Sequence, residues 1–204
     1  MAIGNRIWDD SSGVEANENN GQFDDDESGI DGVTIQVYQD DGDGTFELLE
    51  DTFITETVSA GGGYYLIDNL LPGNYFVHVP AAEFQNGGDL FETLSSDGAG
   101  GDNATDEASD ENGVDDLLAA SNGITSNLIQ LTRSAETLSE AGSPALYADS
   151  NTDMTVDFSF RGLDPTVVGL NSAETTNLTH NHFLAVYLLL LIGTCLGAMH
   201  TRRQ

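Results

Sequence analysis

The chain is 204 residues long, and its 35 acidic side chains face only 5 basic ones, for a formal net charge of −30. The basic residues are Arg6, Arg133, Arg161, Arg202 and Arg203, so lysine is absent, and with it Schiff-base chemistry, P-loop phosphate binding and any lysine-derived crosslink. A chain this acidic cannot displace the counterions of nucleic acid, and its self-repulsion calls for metal cations or high salt as the compensating charge.

The length fits one ordinary domain with or without a tail, and a hydrophobic content of 39% is enough for one core. Cys195 is the single cysteine and lies near the C-terminus, so the body has neither a disulfide nor a thiolate metal site. His180, His182 and His200 flank a C-terminal apolar run, which leaves His78 alone in the body. A His-rich zinc site or a Ser-His-Asp triad therefore lacks material. A carboxylate pair for glycoside hydrolysis would need two acids across a cleft, and nothing in the spacing places them so. No enzyme is expected.

In chain order, Met1 to Trp8 enters directly on a strand-like pattern over Ile3–Trp8, without the basic and apolar regions of a signal peptide. Either the C-terminal segment alone directs insertion, or the chain is a piece of a longer one. Trp8 reads as a packing residue. The stretch from Asp9 to Glu27 then carries eight carboxylates. Val33–Tyr38 alternates with period two, placing Val33, Ile35 and Val37 on one face. Six more carboxylates lie between Asp40 and Asp51. Weaker strands are expected over Thr52–Val58 and Tyr64–Ile67, the second entered through the turn Gly61-Gly62-Gly63. Leu71-Pro-Gly-Asn74 is a turn signal. The strand Tyr75–Val79 then directs Tyr75, Val77 and Val79 inward and His78 to solvent.

A third cluster, Asp97 to Asp116, holds eight carboxylates with no apolar periodicity. It reads as a disordered insertion or an additional weak site. Asn127–Leu131 is a weak strand and Met154–Phe160 a strong one, with Met154, Val156, Phe158 and Phe160 inward. Asn103-Ala-Thr105 and Asn177-Leu-Thr179 are glycosylation sequons. About seven short strands separated by turns, with no amphipathic helix, predict an all-β, immunoglobulin-like sandwich over residues 2–162.

Residues 163–182 read as a polar tether. Phe183 to Met199 is an uncharged run of 17 residues, at the short end of what spans a bilayer as a transmembrane helix. Arg202 and Arg203 in the basic tail 200–204 then place that tail in the cytoplasm and residues 1–180 outside the cell. A buried core helix and a cleaved sorting tail are the alternatives, although the nearest approach to an LPxTG-type sequence is Leu163-Asp-Pro-Thr166. Gly193 and Gly197 are spaced as GxxxG, which can pack two membrane helices into a weak dimer.

Packed carboxylates and amides suit a hard cation, and calcium takes six to eight oxygen ligands. On the 12-residue EF-type spacing with Gly21 at the sixth position, Glu18, Asn20, Gln22, Asp24 and Glu27 fall on ligand positions. Ala16 takes the first position and cannot ligate, so Glu15 or Asp10 would have to reach in. With Gly44 at the sixth position, the second loop offers Asp41, Asp43, Glu47 and Glu50, with Gln39 first. A solvated acidic hairpin is the alternative for each loop.

The segments Ile3-Gly-Asn-Arg-Ile-Trp-Asp9, Asn20-Gly-Gln-Phe-Asp-Asp-Asp-Glu-Ser-Gly-Ile30, Gly32-Val-Thr-Ile35, Gly63-Tyr-Tyr-Leu66, Leu71-Pro-Gly-Asn-Tyr75 and Asp149-Ser-Asn-Thr-Asp-Met-Thr-Val-Asp-Phe158 stand in this order along the chain. Taken together they resemble the SdrD B-like domain of bacterial surface proteins. The resemblance covers residues 2–161 and implies an immunoglobulin-like, prealbumin-like sandwich that binds structural calcium in its loops and serves as a rigid module in adhesin stalks. The stretch from Trp8 to Asn20 is longer than the family's pattern. Related B-type domains often close a Lys–Asn or Lys–Asp isopeptide bond, which a lysine-free chain cannot form.

The expected function is thus a membrane-anchored, extracellular, calcium-binding structural or adhesion module. The alternative is a cell-surface receptor domain that binds a carbohydrate or protein through exposed aromatics around Tyr64, Tyr65, Phe84 and Phe91.

Overall fold

β1 (Ala2–Asp9) is the longest of the described strands and organises the fold. The computed structural model describes residues 1–11, 18–96, 111–136, 138 and 148–163. After β1 come β2 (Ser28–Gly29), β3 (Thr34–Gln39), β4 (Thr52–Val58), β5 (Tyr64–Ile67), β6 (Gly73–Val79) and β7 (Thr93–Ser95). The chain continues through β8 (Gly113–Val114), the single helical turn α1 (Ala119–Asn122), β9 (Ile124–Ser126), β10 (Ile129–Leu131), β11 (Thr152–Asp153) and β12 (Phe158–Gly162).

Two six-stranded sheets result. In the first, β1 carries different partners along its length. Ala2 and Ile3 run parallel to β11, Ile3 to Arg6 pair antiparallel with β5, and Ile7 to Asp9 run parallel to β12. Trp8 and Asp9 also pair with β2, and β7 flanks β12. The second sheet runs β4-β3-β6-β9-β8, with β10 also beside β6. The alternation in β3 and β6 places Ile35, Val37, Val77 and Val79 in the core, where they meet Ile3, Ile7, Phe158 and Phe160 from the first sheet. Each such side chain, fully buried, contributes about 1.5–3 kcal/mol. This is the all-β sandwich that the spacing of strands and turns predicts; Trp8 is wholly buried in it.

Three expectations need correction. His78 does not face solvent: it is 1% exposed. Phe46, from the acidic loop after β3, lays its ring over the outer face of the second sheet, with centroids 4.8 Å from His78, 5.2 Å from Tyr38 and 5.6 Å from Phe76. Desolvation there holds the imidazole down at about 4, and its Nδ1 lies 2.7 Å from Thr125 Oγ1. The strand expected over Met154–Phe160 begins only at Phe158. Met154, Val156, Phe158 and Phe160 are buried, but so are Thr155, Asp157 and Ser159, because both faces are covered. The third acidic cluster ends in ordered structure: Glu111, Asn112 and Gly113 are buried, and β8 pairs with β9.

Met1–Gly162 forms one compact unit, from which Leu163–Gln204 is divided. Apart from Leu163, that stretch is outside the described residues, as are the tether, the run Phe183–Met199, the Gly193–Gly197 pair and both sequons. Among the described residues, no helix is long and apolar enough to cross a membrane.

Candidate metal-binding loops

The first loop is built where β1 runs on into Asp10. The Asp10 backbone N–H donates to the Phe160 carbonyl (2.8 Å), so the β1–β12 pairing delivers a fully buried carboxylate to the rim. That carboxylate accepts the backbone N–H groups of Gly21 (2.8 Å) and Asn20 (3.3 Å). Asn20 Nδ2 donates to Asp24 (2.9 Å), and Glu27 Oε2 accepts the Asp24 N–H at 3.0 Å. Phe23 anchors the loop from below, edge-on to Trp8 and under the Arg6 guanidinium at 3.6 Å. Of the residues chosen on EF-type spacing, Asn20, Asp24 and Glu27 are linked by these hydrogen bonds, with Asp10 reaching in from outside that spacing, while Glu18 and Gln22 stay exposed. Glu15 falls within the stretch 12–17, outside the described residues.

Glu27 is the informative member. Its Oε1 is buried and no donor reaches it, and the carboxyl lies against that of Asp10, to which it can hydrogen-bond only when protonated. Burial pushes its carboxyl up to about 7 against the lowering effect of the Asp24 N–H, and Asp10 and Asp24 push it further in the same direction. A carboxyl raised in the folded state holds a proton that the unfolded chain releases. Metal-free stability is therefore greatest below about pH 4.5 as far as this group is concerned, and it falls as pH rises toward about 7. Glu27→Gln is expected to flatten that slope in thermal melts run in chelator; an unchanged slope would show that Glu27 does not carry it.

The second loop, between β3 and β4, closes on Asp40, Asp41 and Asp51, whose carboxylate oxygens lie within 4.8 Å of one another. Asp51 is buried and accepts the N–H groups of Asp41 (3.1 Å) and Glu47 (2.9 Å). Asp40 accepts the Gly44 N–H at 2.9 Å. Of the expected set, Asp41 is in the cluster. Asp43 folds back on the Thr45 N–H (2.8 Å), and Glu50 is exposed. Glu47 is half-buried, its Oε2 without a partner. Its carboxyl is held above the ordinary range by desolvation first, then by Asp43, Asp51, Glu50 and Asp41. Asp40 and Asp51 were missed because the count was anchored on Gly44. Starting one residue later, at Asp40, puts carboxylates at both the first and twelfth positions.

Each loop thus holds hard oxygen donors and one buried carboxylate oxygen with no donor, which is the arrangement a divalent cation satisfies. Among the described residues, the second loop alone brings three carboxylate oxygens within 4.8 Å of one another, a spacing that fits a hard cation such as calcium. The aromatics named for ligand recognition do not form a patch: Tyr65 and Phe84 are core residues, and of the four only Tyr64 and Phe91 are exposed.

Comparison with known proteins bears on the same region. Residues 1–124 match the SdrD B-like domain, a span that takes in both loops and ends at the start of β9, short of the expected residue 161. Colossin-B of Dictyostelium discoideum is 29% identical over 77 residues, 38% of this chain and 2% of that protein. The chain therefore spans a very small part of that relative's length. The sandwich, the placement of the two loops at its rim and the matched span agree: the chain belongs to the SdrD B-like domain family.

Proposed function

We propose that this chain is a cell-surface structural module of the adhesin-stalk type, with no catalytic step, whose two acidic loops are braced by calcium. The observation that supports this most directly is the pair of buried carboxylate oxygens that no donor reaches, Glu27 Oε1 and Glu47 Oε2, one in each loop. Calcium supplies the charge that lets these carboxylates remain ionised together. Asp10, Asn20, Asp24 and Glu27 would hold one ion, and Asp40, Asp41 and Asp51, with Glu47 beside them, a second.

The chain's own contribution is to deliver the ligands on rigid backbone. Asp10 is fixed by β1 and Asp51 leads into β4, so an ion at either loop ties loop to strand and offsets the entropy of ordering it. The second loop also carries Phe46, so bracing it holds the aromatic cover over His78 in place. The run Phe183–Met199 would anchor the module, with Arg202 and Arg203 inside.

Melting with calcium and with chelator tests the reading. At a hundredfold excess over the dissociation constant, each site adds about 2.7 kcal/mol. For a unit of this size that raises the melting temperature by roughly 5–10 °C. Equal melting temperatures, with no heat of binding by calorimetry, remove the metal from the account. A rise produced by sodium chloride alone assigns the compensation to general screening.

A further inference from the structure

The sequence contains four Asn-Gly pairs, beginning at Asn20, Asn86, Asn112 and Asn122. At such a pair the asparagine side chain can close on the backbone, because glycine sets no Cβ beside the attacking nitrogen. In a folded chain two groups decide whether it does. The side-chain amide must be able to turn toward the glycine, and the glycine N–H must be able to give up its proton.

Three of the pairs are held. Asn20 Nδ2 donates to Asp24 at 2.9 Å and its Oδ1 accepts the Gln22 N–H, while the Gly21 N–H donates to Asp10 at 2.8 Å. Asn112 is buried, its Oδ1 accepts the Asp157 N–H at 2.7 Å, and the Gly113 N–H donates to Glu111 Oε1 at 2.8 Å. Asn122 Nδ2 donates to Asp116 Oδ2 at 2.6 Å, and the Gly123 N–H donates to the Ala119 carbonyl at 2.8 Å. Asn86-Gly87 differs. Both residues are exposed, in the turn that follows the short helical segment Ala81–Phe84. Among the described residues, neither the Asn86 amide nor the Gly87 N–H has a hydrogen-bond partner. Gly87 has φ at +102°, and nothing lies within 4 Å of where a Cβ would stand. Ring closure there disturbs at most the turn's own bond, from the Gly88 N–H to the Gln85 carbonyl at 2.9 Å. The flanks stay fixed by Gln85 Nε2, which donates to the Ala120 carbonyl at 3.0 Å, and by the Leu90 N–H, which donates to the Glu83 carbonyl at 2.9 Å.

We propose that Asn86 is a site of spontaneous, one-way deamidation in the folded module, and that the other three Asn-Gly pairs are protected by their hydrogen bonds. The Gly87 nitrogen attacks Asn86 Cγ and closes a five-membered imide. The Cγ–Nδ2 bond breaks, and the amide nitrogen leaves as ammonia, taking through solvent the proton that the Gly87 nitrogen has lost. Water then adds to either imide carbonyl and cleaves one C–N bond, which leaves an aspartyl or an isoaspartyl residue. No oxidant, reductant or catalytic side chain takes part. The step adds one negative charge to a chain already at −30. Since it needs only water and does not reverse, the converted fraction counts the time a molecule has spent in solution. Asn20 is spared by the same bonds that arrange Asp10 and Asp24, so the first acidic loop keeps its amide. Nothing in this reading depends on calcium.

The full chain is incubated at mildly alkaline pH and digested, and each Asn-Gly peptide is followed by mass and by chromatographic separation of its two isomeric products. In the folded protein the Asn86 peptide should convert at least about tenfold faster than those of Asn20, Asn112 and Asn122, whose hydrogen bonds must break first. In denaturant the four should convert at similar rates. Asn86→Gln should silence this position, because a six-membered ring closes more slowly, and should leave the other three as they were. Comparable rates at all four positions in the folded protein would overturn the proposal. So would an Asn86 peptide that converts only after denaturation.

Discussion

Gly63→Ala is expected to unfold the module or to lower its stability by more than about 4 kcal/mol, as measured by chemical denaturation. A methyl group at this position would sit 2.0 Å from the Ile7 carbonyl oxygen and 2.9 Å from Gly29 Cα, with φ at +84°. The obstacles are backbone atoms and cannot swing aside. They are also bonded in place: Ile7 N–H donates to the Gly63 carbonyl, and Ile30 N–H to the Ile7 carbonyl, each at 2.9 Å. Relief would have to separate the turn from β1, the strand on which both the first sheet and Asp10 depend. The neighbouring Gly61 has φ at +71°, but a methyl group there would have nothing within 4 Å. Gly61→Ala should therefore cost only the left-handed backbone penalty, about 1–2 kcal/mol. Similar losses for the two variants would refute the packing argument.

Asp157→Ala should destabilise nearly as much, by about 3 kcal/mol or more. Asp157 is fully buried. Its two carboxylate oxygens accept Asn5 Nδ2–H and the Arg6 N–H, each at 2.9 Å. Its backbone pairs with Asn112, donating to Oδ1 at 2.7 Å and accepting the Asn112 N–H at 2.9 Å. The side chain thus ties the approach to β12 to β1, while the backbone of the same residue holds the end of the third acidic cluster. Alanine leaves two buried donors without acceptors and opens a cavity. Asp157→Asn should cost far less, on the order of 1 kcal/mol. Asn5 Oδ1 is buried without a partner, so a flip of the Asn5 amide presents an acceptor to the new amide group. Equal destabilisation by alanine and asparagine in denaturant melts would mean that the charge, rather than the hydrogen bonding, is what matters at this position.

The parts of the fold legible in the sequence were those set by local periodicity. Period-two alternation marked β3 and β6, and the glycine and proline turns marked the entries to β5 and β6. β2, β7, β8 and β11 are two or three residues long, too short for any alternation to register. His78 was misplaced because its cover, Phe46, comes from a loop whose composition reads as wholly solvated. Glu111 and Asn112 were misread for a related reason. Their burial rests on distant partners, the Gly21 carbonyl and Asp157, which no window around the acidic cluster contains. In the candidate site, carboxylate density located both loops, and in the first it supplied Asp10, Asp24 and Glu27. The second slipped by one position because a glycine defines a sharp turn but not which acid closes the loop.

The parallel alignment of the first and last strands determines how the module would respond to force. β1 and β12 run side by side in the same direction, with Ile7, Trp8 and Asp9 opposite Phe158, Ser159 and Phe160. Tension applied through Met1 and Gly162 would pull these strands in opposite senses along their own axes. The hydrogen bonds between them are then loaded together in shear and must fail together, instead of unzipping one after another.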